Sequence, residues 1–175
     1  MSSDVHGPAL GRVFEDFAVG DVYRHPLGRT ISEADNTWFT LLTMNTNQNH
    51  FNEVYASRLP VGNRIIVNSG LTVAMVLGMS VLDVSQNAIV NLGWTDIKMT
   101  HPVYVGDTLF AESKVIGLRE SNSRPYAGIV TCLTRGLNQD GEQVVSWERT
   151  VMVHRADSTQ VAEQWFPETS AEWEA

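Results

Sequence analysis

A single cysteine, Cys132, stands in 175 residues. That excludes an internal disulfide framework and a cysteine-based metal cluster. Cys132 lies in the alternating run Ile129-Val130-Thr131-Cys132-Leu133, which predicts a buried strand thiol rather than a reactive one and fits a reducing, cytoplasmic compartment. Basic residues are also scarce: 12 Lys and Arg against 20 Asp and Glu give a formal net charge of −8. With no basic face to neutralise phosphates, nucleic acid and anionic membrane surfaces are poor partners. Long apolar runs are missing too. The longest, Leu71 to Leu82, is broken by Thr72, Gly78 and Ser80 and is too short to span a bilayer. The opening, Met1 to Pro8, has neither the basic region nor the apolar core of a signal peptide. No repeat or low-complexity linker divides the chain. Residues 1–155 therefore read as one domain, followed by an acidic tail, 156–175, that carries Asp157, Glu163, Glu168, Glu172 and Glu174 without a Lys or Arg. Trp165 and Phe166 would anchor that tail if it forms a loosely held helix.

The periodicity that is present divides the chain in two. A short strand is expected at Val22-Tyr23-Arg24-His25. Ser32-Glu33-Ala34-Asp35 reads as a capping box that opens a helix running to about Thr43, with Trp38, Leu41 and Leu42 on one apolar face. A longer helix begins at Ser69-Gly70. Leu71, Ala74, Met75, Gly78, Val81 and Leu82 recur at helical spacing, and Val73, Val76, Leu77 and Met79 fill much of the rest. A helix apolar on nearly every side belongs at the centre of a fold. The second half is strand-like, with long segments at Ala88–Met99, Asp107–Leu118, Gly128–Asn138 and Gln143–His154. Val105-Gly106-Asp107 and Asp140-Gly141 supply turns between them. One central helix and four antiparallel strands predict an α+β fold, with a curved antiparallel sheet wrapped around that helix.

Between the two helical patterns lies the stretch Met44-Asn45-Thr46-Asn47-Gln48-Asn49-His50-Phe51-Asn52. So many amides in one loop are costly to order unless each finds a partner. The imidazole among them is suited to holding a water or a carbonyl.

This loop and the order of elements resemble the MaoC-like (R)-specific enoyl-CoA hydratases and dehydratases, over roughly Phe14 to Arg155. The family's motif runs Gly-Asp-x-Asn-Pro-x-His before a short helix. Here Met44-Asn45-Thr46-Asn47-Gln48-Asn49-His50 precedes Glu53-Val54-Tyr55-Ala56. The Gly that opens the family's central helix is matched in Asn68-Ser69-Gly70-Leu71. Its Pro-Val-x-x-Gly-Asp-Thr-Leu segment is matched by Pro102-Val103-Tyr104-Val105-Gly106-Asp107-Thr108-Leu109. In two places the chain departs from the pattern: Asn45 stands at the catalytic Asp and Gln48 at the Pro. Asn-bearing loops of this kind are similar to those of the mesaconyl-CoA and methyl-branched dicarboxylyl-CoA hydratases within the family. The resemblance implies a single hotdog fold, an acyl-CoA substrate, no cofactor beyond the thioester itself, and a homodimer or higher homo-oligomer.

Hydrating a 2-enoyl thioester requires a polarised carbonyl, a water held at Cβ and a proton for Cα. Unpaired amides at a helix N-terminus suit the first task, and Gly70 lets a thioester approach closely. An imidazole suits the second, because this side chain gains and loses protons near neutral pH; His50 is therefore the expected acid/base. Asn45 cannot carry a proton but can orient the water. One proton carrier is then lacking, so His50 makes both transfers in turn, a substrate carboxylate assists, or Glu53 or Asp35 swings in. Asn47, Ser69, Gly70 and Arg64 are the expected substrate contacts, with Arg64 meeting a CoA phosphate or a carboxylate. Each also has a plain structural reading: Asn45 and Asn47 as turn or cap residues, Gly70 as a helix entry, Arg64 as a solvated cation, and a lone His50 as a hydrogen-bonded structural histidine. His25, His101 and His154 have no companions at ligand spacing, so no metal site is expected. Two other functions fit the same fold: an acyl-CoA thioesterase, with Glu53 or Asp35 directing water at the carbonyl, and a non-catalytic acyl-CoA-binding partner subunit.

Overall fold

The computed structural model describes residues 11–158, so most of the acidic tail and its Trp165–Phe166 anchor lie outside the described residues. In chain order the elements are β1 (Val22–Arg24), β2 (Arg29–Thr30), α1 (Glu33–Leu42), α2 (Glu53–Ala56), α3 (Ser69–Ser80), β3 (Ala88–Met99), β4 (Thr108–Glu120), β5 (Ala127–Leu137) and β6 (Gln143–His154). The sheet runs β1-β4-β5-β6-β3, with β2 added on β4, and every pairing is antiparallel. The predicted limits of β3 and β6 are those observed, and those of β4 and β5 differ by one or two residues.

Alternation decides which face of the sheet is buried. On β4, Leu109, Ala111, Ser113 and Val115 turn inward while Phe110 and Lys114 are exposed. Leu109 and Ala111 meet α3 in a core with Ile31, Val67, Leu71, Met75, Val76, Val144, Val145 and Trp147. Contact there is close. A Cβ on Gly136 of β5 would lie 2.6 Å from Val76 Cγ2, so a glycine lets the helix settle onto the strand. A second cluster, Phe17, Val84, Val115, Val130, Cys132, Val151 and Val153, fills the other end. Cys132 is fully buried in it, and burial pushes its thiol pKa up to about 12, with Arg149 pulling weakly the other way. This helix held against a curved antiparallel sheet is the hotdog fold.

Three details depart from the sequence expectation. α3 buries Leu71, Thr72, Met75, Val76 and Ser80 but leaves Gly70, Ala74 and Gly78 exposed, so one narrow side of the central helix faces outward. α1 is capped as predicted, with Ser32 and Asp35 exchanging hydrogen bonds. Its apolar face, however, is in solvent: Trp38 is 77 % exposed and Leu42 83 %. The helix buries Asn36 and Thr40 instead and packs Phe39 against the core, so hydrogen bonds and one aromatic ring seat it. Finally, α3 runs on into a π turn, Val81–Ser85, which carries Asp83 to His25.

Candidate active site

The polar loop is built from side chains that cap the backbone. Thr40 C=O accepts from Asn45 N–H at 3.0 Å. Asn45 Oδ1 accepts from Asn47 N–H at 2.9 Å, and Asn47 Oδ1 accepts from Asn49 N–H at 3.2 Å. Met44, at φ 55°, sits in the left-handed region that a side chain enters only under local constraint. Asn47 is therefore a cap residue that opens the 3₁₀ turn Gln48–His50. Asn45 has its oxygen engaged in a turn, and its amide N–H₂ is the group left for a ligand.

His50 is fixed through Ile66 and Asn36. The ring Nδ1 lies 2.8 Å from the Ile66 carbonyl oxygen. A carbonyl accepts only, so Nδ1 carries the proton and donates it, and Nε2 keeps a lone pair in the neutral ring. Ile66 N–H returns a bond to Asn49 C=O at 3.1 Å. The backbone carbonyl of His50 accepts from Asn36 Nδ2 at 2.8 Å. The loop side therefore presents one imidazole acceptor with its tautomer set. Beside it, Asn49 Oδ1 is buried without a partner among the described residues, an acceptor whose desolvation costs about 1–3 kcal/mol.

The start of α3 is tied to the same framework. Asn68 caps the helix, with its Oδ1 accepting from Gly70 N–H at 2.9 Å. The Gly70 amide is therefore taken, which alters its expected role in holding a thioester oxygen. Ser69 is the first residue of the helix, so its N–H has no acceptor within the helix. Gly70 has a packing reason as well: a Cβ there would lie 3.1 Å from the Phe39 ring. Ser69 lines two clefts. One, of about 210 Å³, is shared with Ile66, Thr72, Met99 and His101. The other, of about 420 Å³, lies against Gly70, Val73, Ala74, Leu77, Trp94 and Ile97. A separate hollow of about 530 Å³, lined by Lys98, Lys114 and Arg135, lies on the outer face of the sheet, away from His50.

Other expected groups lie elsewhere. Arg64 stacks on Tyr104, with its guanidinium carbon 3.7 Å from the ring centroid. That leaves the edges of the guanidinium open to a carboxylate or phosphate. Gly62 (φ 70°) and Asn63 (φ 50°) bend the chain to put it there. Asp35 does not reach the loop. It is tied to Ser32 and Arg29, and the Ser32 backbone and hydroxyl bonds, with Arg29, hold its carboxyl below the ordinary pKa. Glu53 opens α2 on the exposed side.

Sequence reasoning missed two groups. Asn36 and Thr40 are polar positions one turn apart on α1, and that spacing was the available signal. The second is a buried chain of bonds from Arg12 through Asp83 and His25 to Ser113 and Thr134. Its members are scattered along the chain, and no local pattern joins them. His101 lies 3.7 Å from Glu142, and His154 bonds Ser158. Among the described residues, no three His, Cys, Asp or Glu side chains come together to hold a metal. No described helix is long and apolar enough to cross a membrane.

The family model for mesaconyl-CoA hydratase matches residues 5–172. The mesaconyl-CoA hydratase of Cereibacter sphaeroides is 39% identical over 150 residues, covering 85% of this chain and 43% of the relative. The β-methylmalyl-CoA dehydratase of Chloroflexus aurantiacus is 38% identical over 147 residues, covering 84% of this chain and 41% of the relative. A crystal structure of a MaoC domain protein dehydratase from Chloroflexus aurantiacus superimposes with a TM-score of 0.80 at 36% identity, over 90% of this chain and 45% of that one. The chain spans less than half the length of these curated relatives.

Proposed function

The chain belongs to the mesaconyl-CoA hydratase family, and from that premise we propose that it is a hydro-lyase adding water reversibly to a 2-enoyl-CoA, with a branched or dicarboxylic acyl group. The observation that carries the reading is the bond from His50 Nδ1 to Ile66 C=O. It leaves Nε2 as a base, and an enoyl thioester needs a base at Cβ.

In this reading the thioester oxygen meets Ser69 N–H at the positive end of α3, which favours charge moving from the double bond onto that oxygen. A water held between Asn45 Nδ2 and His50 Nε2 adds its oxygen to Cβ. Its proton passes to Nε2, and the imidazolium then returns a proton to Cα. Water is consumed whole and His50 ends as it began, so no cofactor beyond the thioester is required. Asp35 is engaged with Ser32 and Arg29, which removes one of the two carboxylates a thioesterase would use. Arg64, stacked and partly open, serves an anionic part of the substrate.

We assign the functional unit a second hotdog unit paired through β3. That strand is an edge with both faces exposed, including Val90, Leu92, Trp94, Ile97 and Met99, and such an edge needs a cover. A second copy of this chain supplies it. A cytoplasmic setting suits the buried, reduced Cys132.

The test is loss of the enoyl-thioester absorbance band with crotonyl-CoA, mesaconyl-CoA and itaconyl-CoA, without release of free thiol. His50→Ala should abolish it, by roughly 10²–10⁴-fold, the usual contribution of a general acid/base. Free CoA released from a saturated acyl-CoA would instead establish the thioesterase. Near-normal turnover by His50→Ala would refute the role given to His50.

A further inference from the structure

Asn36 is 1 % exposed and sits mid-helix on α1, a position where a buried amide is tolerated only if both its ends are used. Both are. Its Nδ2 donates to the His50 carbonyl at 2.8 Å, and its Oδ1 accepts from Asn68 N–H at 2.9 Å. Asn68 in turn accepts from Gly70 N–H through its side chain and donates through Nδ2 to Thr40 Oγ1 at 3.3 Å. One amide thus bridges the loop that carries the imidazole and the helix start that carries the Ser69 amide. Asn36 makes both connections from a single rigid element.

We propose that Asn36 is a positioning residue that sets the separation between His50 Nε2 and the N-terminus of α3, and that it acts through His50 and Asn68 without touching substrate. This rests on the assignment of His50 as the acid/base. A reacting water and a polarised carbonyl must be placed together, and an error near 1 Å can cost about 10²-fold in rate. Packing alone does not fix His50, which is only half-buried. The bond from Asn36 holds its backbone, and the bond to Ile66 holds its ring.

The experiment uses three variants of the full chain. Asn36→Leu removes both bonds at similar volume. Asn36→Asp keeps the acceptor for Asn68 N–H; ionised it lacks the donor to His50, and protonated it regains one through its O–H, so it is read across pH. Ser80→Ala removes a buried side-chain bond at the far end of α3, from Ser80 Oγ to Leu77 C=O at 2.7 Å, and is the structural control. Steady-state kinetics and the ¹⁵N NMR tautomer signature of His50 are read on each. Wild type should show the Nδ1–H tautomer. In Asn36→Leu, and in Asn36→Asp where its carboxyl is ionised, kcat should fall about 10- to 100-fold with KM within about threefold, and the ring should shift toward the Nε2–H form that free imidazole side chains favour. Ser80→Ala should leave the tautomer and kcat near wild type.

Unchanged tautomer and kcat in Asn36→Leu, or in Asn36→Asp with its carboxyl ionised, would overturn the proposal, as would equal effects of Ser80→Ala. The NMR arm needs no turnover. A wild-type protein inactive on every enoyl-CoA, with the tautomer shift still present in Asn36→Leu, would sink the hydratase reading and leave the positioning role standing.

Discussion

The ring of His25 and the carboxylate of Asp83 form a hydrogen-bonded pair, Nδ1 to Oδ2 at 2.7 Å, with the imidazole side chain entirely out of solvent. The pair joins the end of β1 to the π turn that follows α3. Nε2 of the same ring reaches Ser113 Oγ at 2.9 Å, and Arg12 takes the other carboxylate oxygen of Asp83 at 2.7 Å. Three separate stretches of the chain are therefore closed on one imidazole.

That arrangement makes stability depend on acid. Burial alone would raise the Asp83 pKa, but the hydrogen bonds and charges of His25 and Arg12 outweigh it and hold the carboxyl below its ordinary value. A depressed folded pKa stabilises the protein above the unfolded value of about 3.9, and that contribution is lost as pH falls through the folded value. Asp83→Asn should lower the urea midpoint at about pH 7 by an amount equivalent to roughly 1–3 kcal/mol. The gap to wild type should narrow as pH falls below the ordinary carboxylate range and through the lowered folded value, where the native carboxyl becomes neutral. A constant gap across that range would mean the charge of Asp83 contributes nothing.

Asn45 has one free arm. Its oxygen is held by Asn47 N–H, so Asn45→Ala removes both a turn bond and the donor assigned to water. The expected loss in kcat is about tenfold, the scale of one neutral hydrogen bond. Parallel turnover assays of Asn45→Ala and His50→Ala check the ranking. Equal losses would show that Asn45 does more than orient.

Gly62 combines φ 70° with a space that Tyr104 occupies: an added Cβ would stand 2.2 Å from the phenolic oxygen. Gly62→Ala should destabilise by about 1–2 kcal/mol from backbone strain alone, and it should push Tyr104 off Arg64. Chemical denaturation gives the first quantity. A wild-type midpoint would mean that the loop relaxes freely.

With the Cys132 thiol pKa at about 12, the thiolate fraction at about pH 8 is on the order of 10⁻⁴. Ellman's reagent should leave the folded protein unlabelled, and labelling should follow global unfolding in urea. Prompt reaction under native conditions would show that the second core cluster opens locally.

The strands were legible in the sequence because alternation is a local signal that burial then enforces. β3 and β6 begin and end where the β-branched and aromatic enrichment does. The face of α1 was misread for the opposite reason. Trp38, Leu41 and Leu42 form a regular apolar stripe, yet the helix is docked by Asn36 and Thr40, whose partners lie on other segments. His50 and its loop stood out by composition, but the reason Nε2 is the free nitrogen is a carbonyl 16 residues away, which no spacing rule indicates. β2 is two residues long and was passed over. The His25 network spans 58 and 88 residues of sequence and leaves no local trace.

Strand order has a consequence for how the molecule is made. β4, β5 and β6 follow one another through short turns and pair as neighbours, whereas β3 pairs with β6 across both of those hairpins. The closing step is therefore a distant one, of the kind that slows folding. Synthesis proceeds from the N-terminus, so α3 leaves the ribosome before any of the strands that will cover it. Its apolar residues stay unburied until the last third of the chain has been made, and in that interval the nascent protein is most exposed to misassociation.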